Sequence, residues 1–143
     1  MIEQYPDFKY TNARDFLVYE VSNPKSECFV DFSDVYVDID MAIKLIREQG
    51  GRVFLAHPFE YRGDIPQLLE MVINKNLDGV EVFHASCSTL NSLKLIDFCK
   101  ATNKLASIGS GFVGDDELIP LGVHVDEDVL KLDCFKWIFE RED

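Results

Sequence analysis

Three places in the chain put chemistry-bearing side chains directly after short apolar runs. His57-Pro58 follows RVFLA (52–56), and His84 follows LDGVEVF (77–83). Ser110-Gly111-Phe112-Val113-Gly114 follows KLASIG (104–109). In parallel α/β folds, bound groups meet the protein at the carboxyl ends of strands. Each position also has a structural reading. A histidine at a strand end is often a hydrogen-bonded loop residue, although Pro58 fixes the exit after His57. Glu81, inside the second run, needs a partner if it points inward, and structural pairing is its expected role. The stretch SIGSGFVG holds three glycines and two serines in eight residues, a composition that could cradle a phosphate. It lacks the lysine and the glycine spacing of a P-loop, and no strongly helical segment follows it. The third histidine, His124, lies in a later short run, LGVHV. No Ser-His-Asp arrangement can be argued.

Helical patterns separate these runs. DIDMAIKLIREQGG predicts a helix capped by Asp38 or Asp40, with Met41, Ala42, Leu45 and Ile46 on its apolar face and Gly50-Gly51 at its end. GDIPQLLEMVINKN predicts a second, with Asp64 at the cap, Pro66 in the first turn and an apolar stripe of Leu68, Leu69, Val72 and Ile73. STLNSLKLIDFCKATN predicts a third, capped by Ser88 or Thr89, with Leu93, Ile96 and Cys99 or Lys100 following. Three helix–strand pairs in a row imply parallel βαβ units with right-handed connections. The first forty residues are less regular. DFLVYEV (15–21) reads as a strand, NPKSE as a turn, and CFVDFSDVYVDID as a short strand or an irregular segment. The acidic run Asp31, Asp34, Asp38 and Asp40 reads as a solvated edge with a helix cap. CFKWIFERED reads as a short amphipathic helix. No repeat, low-complexity segment or linker interrupts residues 1–143. One domain is expected, with an irregular or strand-containing segment over 1–37 and βα units and a tail over 38–143.

The chain's 143 residues suit one domain, and 47% hydrophobic with 28% charged residues allow a packed core. The 26 acidic residues against 14 basic ones give a net charge of -12, which argues against nucleic acid as a partner. The four cysteines, Cys28, Cys87, Cys99 and Cys134, form no CxxC pair and fit no zinc spacing. Reduced thiols in a cytoplasmic protein are expected. MIEQYPDFKY has no basic segment followed by an apolar one, so it does not read as a signal peptide. No apolar run approaches the roughly 20 residues of a membrane span.

Three segments in order carry a resemblance: AIKLIREQGGRVFLAHPFEY, LDGVEVFHASCS and LASIGSGFVGDDELIPLGVHV. From about Asp15 to Trp137 the chain resembles the later part of the PHP family, the polymerase and histidinol phosphatase domains. Members show a similar GG-x-x-x-LAHP block, then GIEV with an aromatic residue and often His, then GSDFHG. The resemblance implies a distorted barrel of βα units with up to three divalent metal ions (Mn, Fe or Zn) at its carboxyl end. It also implies hydrolysis of phosphate esters by metal-activated water.

Carried over residue by residue, the resemblance makes His57 a metal ligand. It places His84 and Ser110 near the substrate pocket. It also predicts loss of function. The family's late Asp falls at Gly111 and its late His at Val113, and neither replacement ligates a metal through its side chain. No His-x-His pair occurs, and no histidine precedes His57. The expectation is therefore a truncated, partial PHP-type barrel with a mostly parallel sheet and flanking helices. It should bind no metal stoichiometrically and be inactive alone. Alternatives are a phosphoesterase completed by a partner chain, and a module that binds a small phosphate-containing ligand or a protein. A homo-oligomer is expected, because a partial barrel exposes an edge strand.

Overall fold

Apolar runs separated by helices can bury both faces of each strand in a parallel sheet, and the computed structural model of the chain contains one. It describes residue 10 and residues 13–61, 63–112 and 121–140. The expected ligand position Val113 lies outside the described residues. The chain divides into two compact units, Met1–Asp38 and Ile39–Asp143.

In the first unit, helix α1 (Ala13–Phe16) runs into a π-helical turn, Leu17–Val21. The Ser22 N–H donates to the Leu17 carbonyl at 2.8 Å. DFLVYEV is therefore helical, not a strand. Its β-branched and aromatic residues favour a strand only where a neighbour pairs with the backbone. Among the described residues this unit has no strand, and a helix satisfies its peptide groups internally. Residues 28–38 are irregular, with a turn over 33–35, the second of the two alternatives weighed above.

The second unit alternates as the patterns predict. Helix α2 (Ile39–Glu48) leads to strand β1 (Phe54–Leu55), and α3 (Ile65–Asn74) to β2 (Gly79–Phe83). Helix α4 (Thr89–Thr102) leads to β3 (Leu105–Ile108). The strands are parallel in the order β1-β2-β3. All three helices end in the same way. A residue with positive φ (Gly50, Asn76 or Asn103) turns the chain, and the next N–H reaches back five residues. Gly51 donates to Ile46, Leu77 to Val72 and Lys104 to Cys99, each at 2.9 Å. This Schellman geometry satisfies a last-turn carbonyl and aims the chain at its next strand.

β1 is shorter than RVFLA suggests, because side chains of β2 and its approach take the place of ladder bonds on both flanks. The Asp78 carboxylate accepts the Val53 N–H at 2.7 Å, and the Glu81 carboxylate accepts the His57 N–H at 2.6 Å. Arg47 lies 3.8 Å from Asp78 and ties the end of α2 to the same corner. Gly79 is dictated by crowding: a Cβ there would lie 2.0 Å from the Leu105 carbonyl oxygen and 2.8 Å from the Phe54 ring.

The helix faces differ from the sequence reading in part. In α2 only Ile43 is buried, whereas Met41 and Leu45 are about half exposed. In α3 Val72 is buried, Leu68 and Leu69 are partly so, and Ile73 is exposed. In α4 the inner face is Ser92, Leu95, Ile96 and Cys99, and Leu93 is exposed. Ser88 caps α4 by accepting the Asn91 N–H, but Asp64 makes no capping bond to α3.

The tail forms helix α5 (Glu127–Leu130), and the short helix expected after it is a 3₁₀ segment, Asp133–Ile138. Phe135 is fully buried. Trp137 stacks on Phe54 at 4.9 Å, lies under the Arg52 guanidinium at 5.1 Å, and donates its indole N–H to the Ala106 carbonyl at 2.8 Å. No helix among the described residues is long and apolar enough to cross a membrane.

Cys99 is fully buried, and burial, with Cys134 beside it, pushes its thiol up to about 12 from an ordinary 9.0. The folded state therefore holds the proton that the unfolded chain releases. This contribution is complete below about pH 9 and is lost as pH rises towards about 12, at up to about 1.4 kcal/mol per pH unit. Urea unfolding at about pH 8 and about pH 10.5 should show a steeper alkaline loss in the native sequence than in Cys99→Ala. Equal slopes would place Cys99 in contact with solvent.

Candidate functional site

The three strand exits converge at the carboxyl end of the sheet. At the exit of β1, His57 has φ 28° and ψ 60°, a left-handed conformation unusual for a residue with a side chain. Such strain costs roughly 1–3 kcal/mol. The bond from its N–H to the Glu81 carboxylate is charge-assisted, a class worth about 1.5–3 kcal/mol. The two are of the same size, so one hydrogen bond can hold this backbone. Pro58 then starts a 3₁₀ turn, Pro58–Glu60, closed by the Glu60 N–H on the His57 carbonyl at 2.9 Å.

At the exit of β2, pairing with β3 shifts register between Glu81 and Phe83. Such irregularities re-aim side chains near sites. The chain then delivers His84, only 8% exposed. Its Nδ1 lies 2.7 Å from Ser86 Oγ and receives the Ser86 N–H at 3.3 Å. A backbone N–H can only donate, so Nδ1 is an acceptor and the neutral ring carries its proton on Nε2.

At the exit of β3, two glycines make room for these side chains. A Cβ on Gly109 would lie 1.9 Å from Glu81 Oε1. Gly111 has φ 71°, and its Cβ would lie 2.6 Å from His84 Nε2. The ring of His84 thus fills the space into which a side chain at 111 would project. Ser110 Oγ accepts the Phe112 N–H at 3.3 Å, a local turn bond. Among the described residues no hydrogen bond joins Ser110 to either histidine. His124 is exposed in a segment of its own.

Sequence reasoning missed Glu60 and Tyr61. The Glu60 carboxylate lies between the imidazoles, with Oε2 3.7 Å from His57 Nδ1 and Oε1 3.6 Å from His84 Nδ1. The two imidazole centroids are 5.4 Å apart, and the Tyr61 ring stacks 5.5 Å from His57. His57 Nδ1 is buried without a hydrogen bond. The only sequence signal was proximity: both residues follow His57-Pro58 within one short turn.

Among the described residues, no group of three or more His, Cys, Asp or Glu side chains could hold a metal ion. Glu81 is engaged by the His57 N–H, His84 Nδ1 is engaged by Ser86, and position 111 offers no ligand.

No protein-family model and no curated protein matches the sequence. Among solved structures, the chain is similar to a protein of Bifidobacterium adolescentis provisionally described as a metal-dependent phosphoesterase, with a TM-score of 0.60 and 23% identity. The match covers 85% of this chain and 43% of that one, so this chain spans less than half the length of that structure. At this identity the likeness is one of fold: a mixed α/β arrangement, built here on a small three-stranded parallel sheet.

The fit between Gly111 and His84 can be measured. Gly111→Ala should cost about 2 kcal/mol or more, from positive φ and from the clash with the imidazole. In a His84→Ala background only the conformational part remains, about 1 kcal/mol. A double-mutant cycle by urea denaturation reads the difference, and an unchanged cost in the two backgrounds would show that the ring does not occupy that space.

Proposed function

We propose that the chain is a degenerate PHP-type domain, part of a distorted βα barrel, that hydrolyses no phosphate ester by itself. One observation carries this reading. The resemblance puts an aspartate ligand at Gly111, and His84 Nε2 stands where that side chain would start. Bound divalent metals would supply an activated water and charge neutralisation at phosphorus. Two of the side chains here are committed elsewhere instead, Glu81 to the His57 backbone and His84 Nδ1 to Ser86, and the Glu60 carboxylate lies beside both rings.

In this reading His57, His84 and Ser110 are remnants of the pocket. A small phosphate-containing ligand is the less favoured use of it, because Glu60 and Glu81 set two carboxylates at the same end of the sheet and repel an anion. Elemental analysis of the purified chain, with turnover of a generic phosphomonoester in Mn, Fe or Zn, tests the proposal. The expected result is less than one metal equivalent and no turnover, both in the native sequence and in Gly111→Asp/Val113→His. Two or more equivalents, lost together on His57→Ala, would overturn it. A copurifying polypeptide with an early His-x-His pair would instead favour a centre completed by a partner chain.

Self-association belongs to the same proposal. β1 is an edge strand of the sheet, and Val35 and Tyr36 in the first forty residues are 73% and 75% exposed. Open edges and exposed apolar side chains favour pairing with another chain. A homodimer or larger assembly is expected in sedimentation equilibrium at micromolar concentration, with its interface near the first forty residues. A monomer of 16.4 kDa would exclude it.

A further inference from the structure

We infer that Glu81 is the positioning residue of this site, setting the place of His57 through the backbone. The inference rests on the proposal that His57 and His84 are remnants of a pocket at the strand exits. Three observations converge on it. The Glu81 carboxylate accepts the His57 N–H at 2.6 Å, so its grip is on the peptide and leaves the imidazole free. His57 has the left-handed φ of 28°, which an unconstrained histidine would leave for the extended or right-handed regions. Gly109 gives the carboxylate its seat, because a Cβ there would lie 1.9 Å from Oε1.

Rotation of His57 out of this conformation would redirect its Cβ and carry the imidazole away from His84, Glu60 and Tyr61. The irregular pairing just after Glu81 adds to the economy of the arrangement. One short stretch of β2 fixes His57 through Glu81 and delivers His84 two residues after the register shift begins to act. Glu81 touches neither imidazole in any hydrogen bond among the described residues. Its influence on the site runs through the His57 peptide.

The experiment uses the full chain with labelled histidine. There are three histidines, so the ring signals are separable by single substitutions, and exposed His124 serves as a reference. In the native sequence, ring protons of His57 and His84 should show a mutual nuclear Overhauser cross-peak at fixed pH. Glu81→Ala should abolish that cross-peak and move the His57 signals towards those of His124, while the His84–Ser86 contact persists. Glu81→Gln keeps an acceptor oxygen and should retain the cross-peak. Gly109→Ala displaces the carboxylate without removing it and should reproduce the alanine phenotype.

Persistence of the His57–His84 cross-peak in Glu81→Ala would overturn the assignment. Loss of cooperative unfolding in Glu81→Ala would overturn it too, since the carboxylate would then hold the sheet and not the histidine. The readout involves no metal and no turnover. A chain found to bind metal or hydrolyse an ester would refute the proposed function and leave the cross-peak result standing.

Discussion

Two carboxylates from one stretch of chain hold β1 in place. Asp78 and Glu81 stand three residues apart and accept the N–H groups of Val53 and His57, one before β1 and one after it. A strand of two ladder residues has little pairing energy of its own, and hydrogen bonds to charged acceptors are about twice as strong as neutral ones. The consequence reaches both ends of the sheet. At the amino end, Asp78 also receives Arg47 and gathers the end of α2. At the carboxyl end, Glu81 fixes the backbone from which the His57 imidazole projects. The short strand and the candidate site are thus products of the same arrangement.

Glycines accompany the carboxylates for a steric reason. Gly79 lets the Phe54 ring and the Leu105 carbonyl approach β2, Gly109 seats Glu81, and Gly111 admits His84. In the sequence the last two sit in SIGSGFVG, where they suggest a phosphate loop. Their neighbours in space are a carboxylate and an imidazole. A glycine-rich stretch after a strand is therefore ambiguous until the atoms facing it are known, because the same absence of a side chain serves a bound anion or a packed side chain equally well.

Much of the second unit was legible because its signals are local. Apolar runs marked β2 and β3, Gly50-Gly51 marked the end of α2, and Ser88 marked the start of α4. The errors arose where the deciding partner is distant or missing. DFLVYEV has strand-forming residues but no neighbouring strand among the described residues, so its backbone closes on itself. RVFLA was cut short by bonds to residues 25 and 24 positions away. The face of α2 centres on Ile43, not on Met41 and Leu45, because packing and not composition selects the buried stripe. In the site, His57 and His84 could be placed at strand ends from the sequence alone. Glu60 could not, since nothing in HPFEY says that its carboxylate reaches both rings.

The tail places the chain's one tryptophan where it touches both outer strands of the sheet. Trp137 stacks on Phe54 of β1 and hydrogen-bonds Ala106 of β3, beneath the Arg52 cation. An indole ring held this way has a fixed hydrogen-bond acceptor and a charge above its face, both of which set the colour and intensity of its emission. Detachment of the 3₁₀ segment would expose that ring to water and break its contacts with both strands in one event. The protein therefore carries an intrinsic optical probe of whether its last segment is seated, readable without any label and uncomplicated by a second indole.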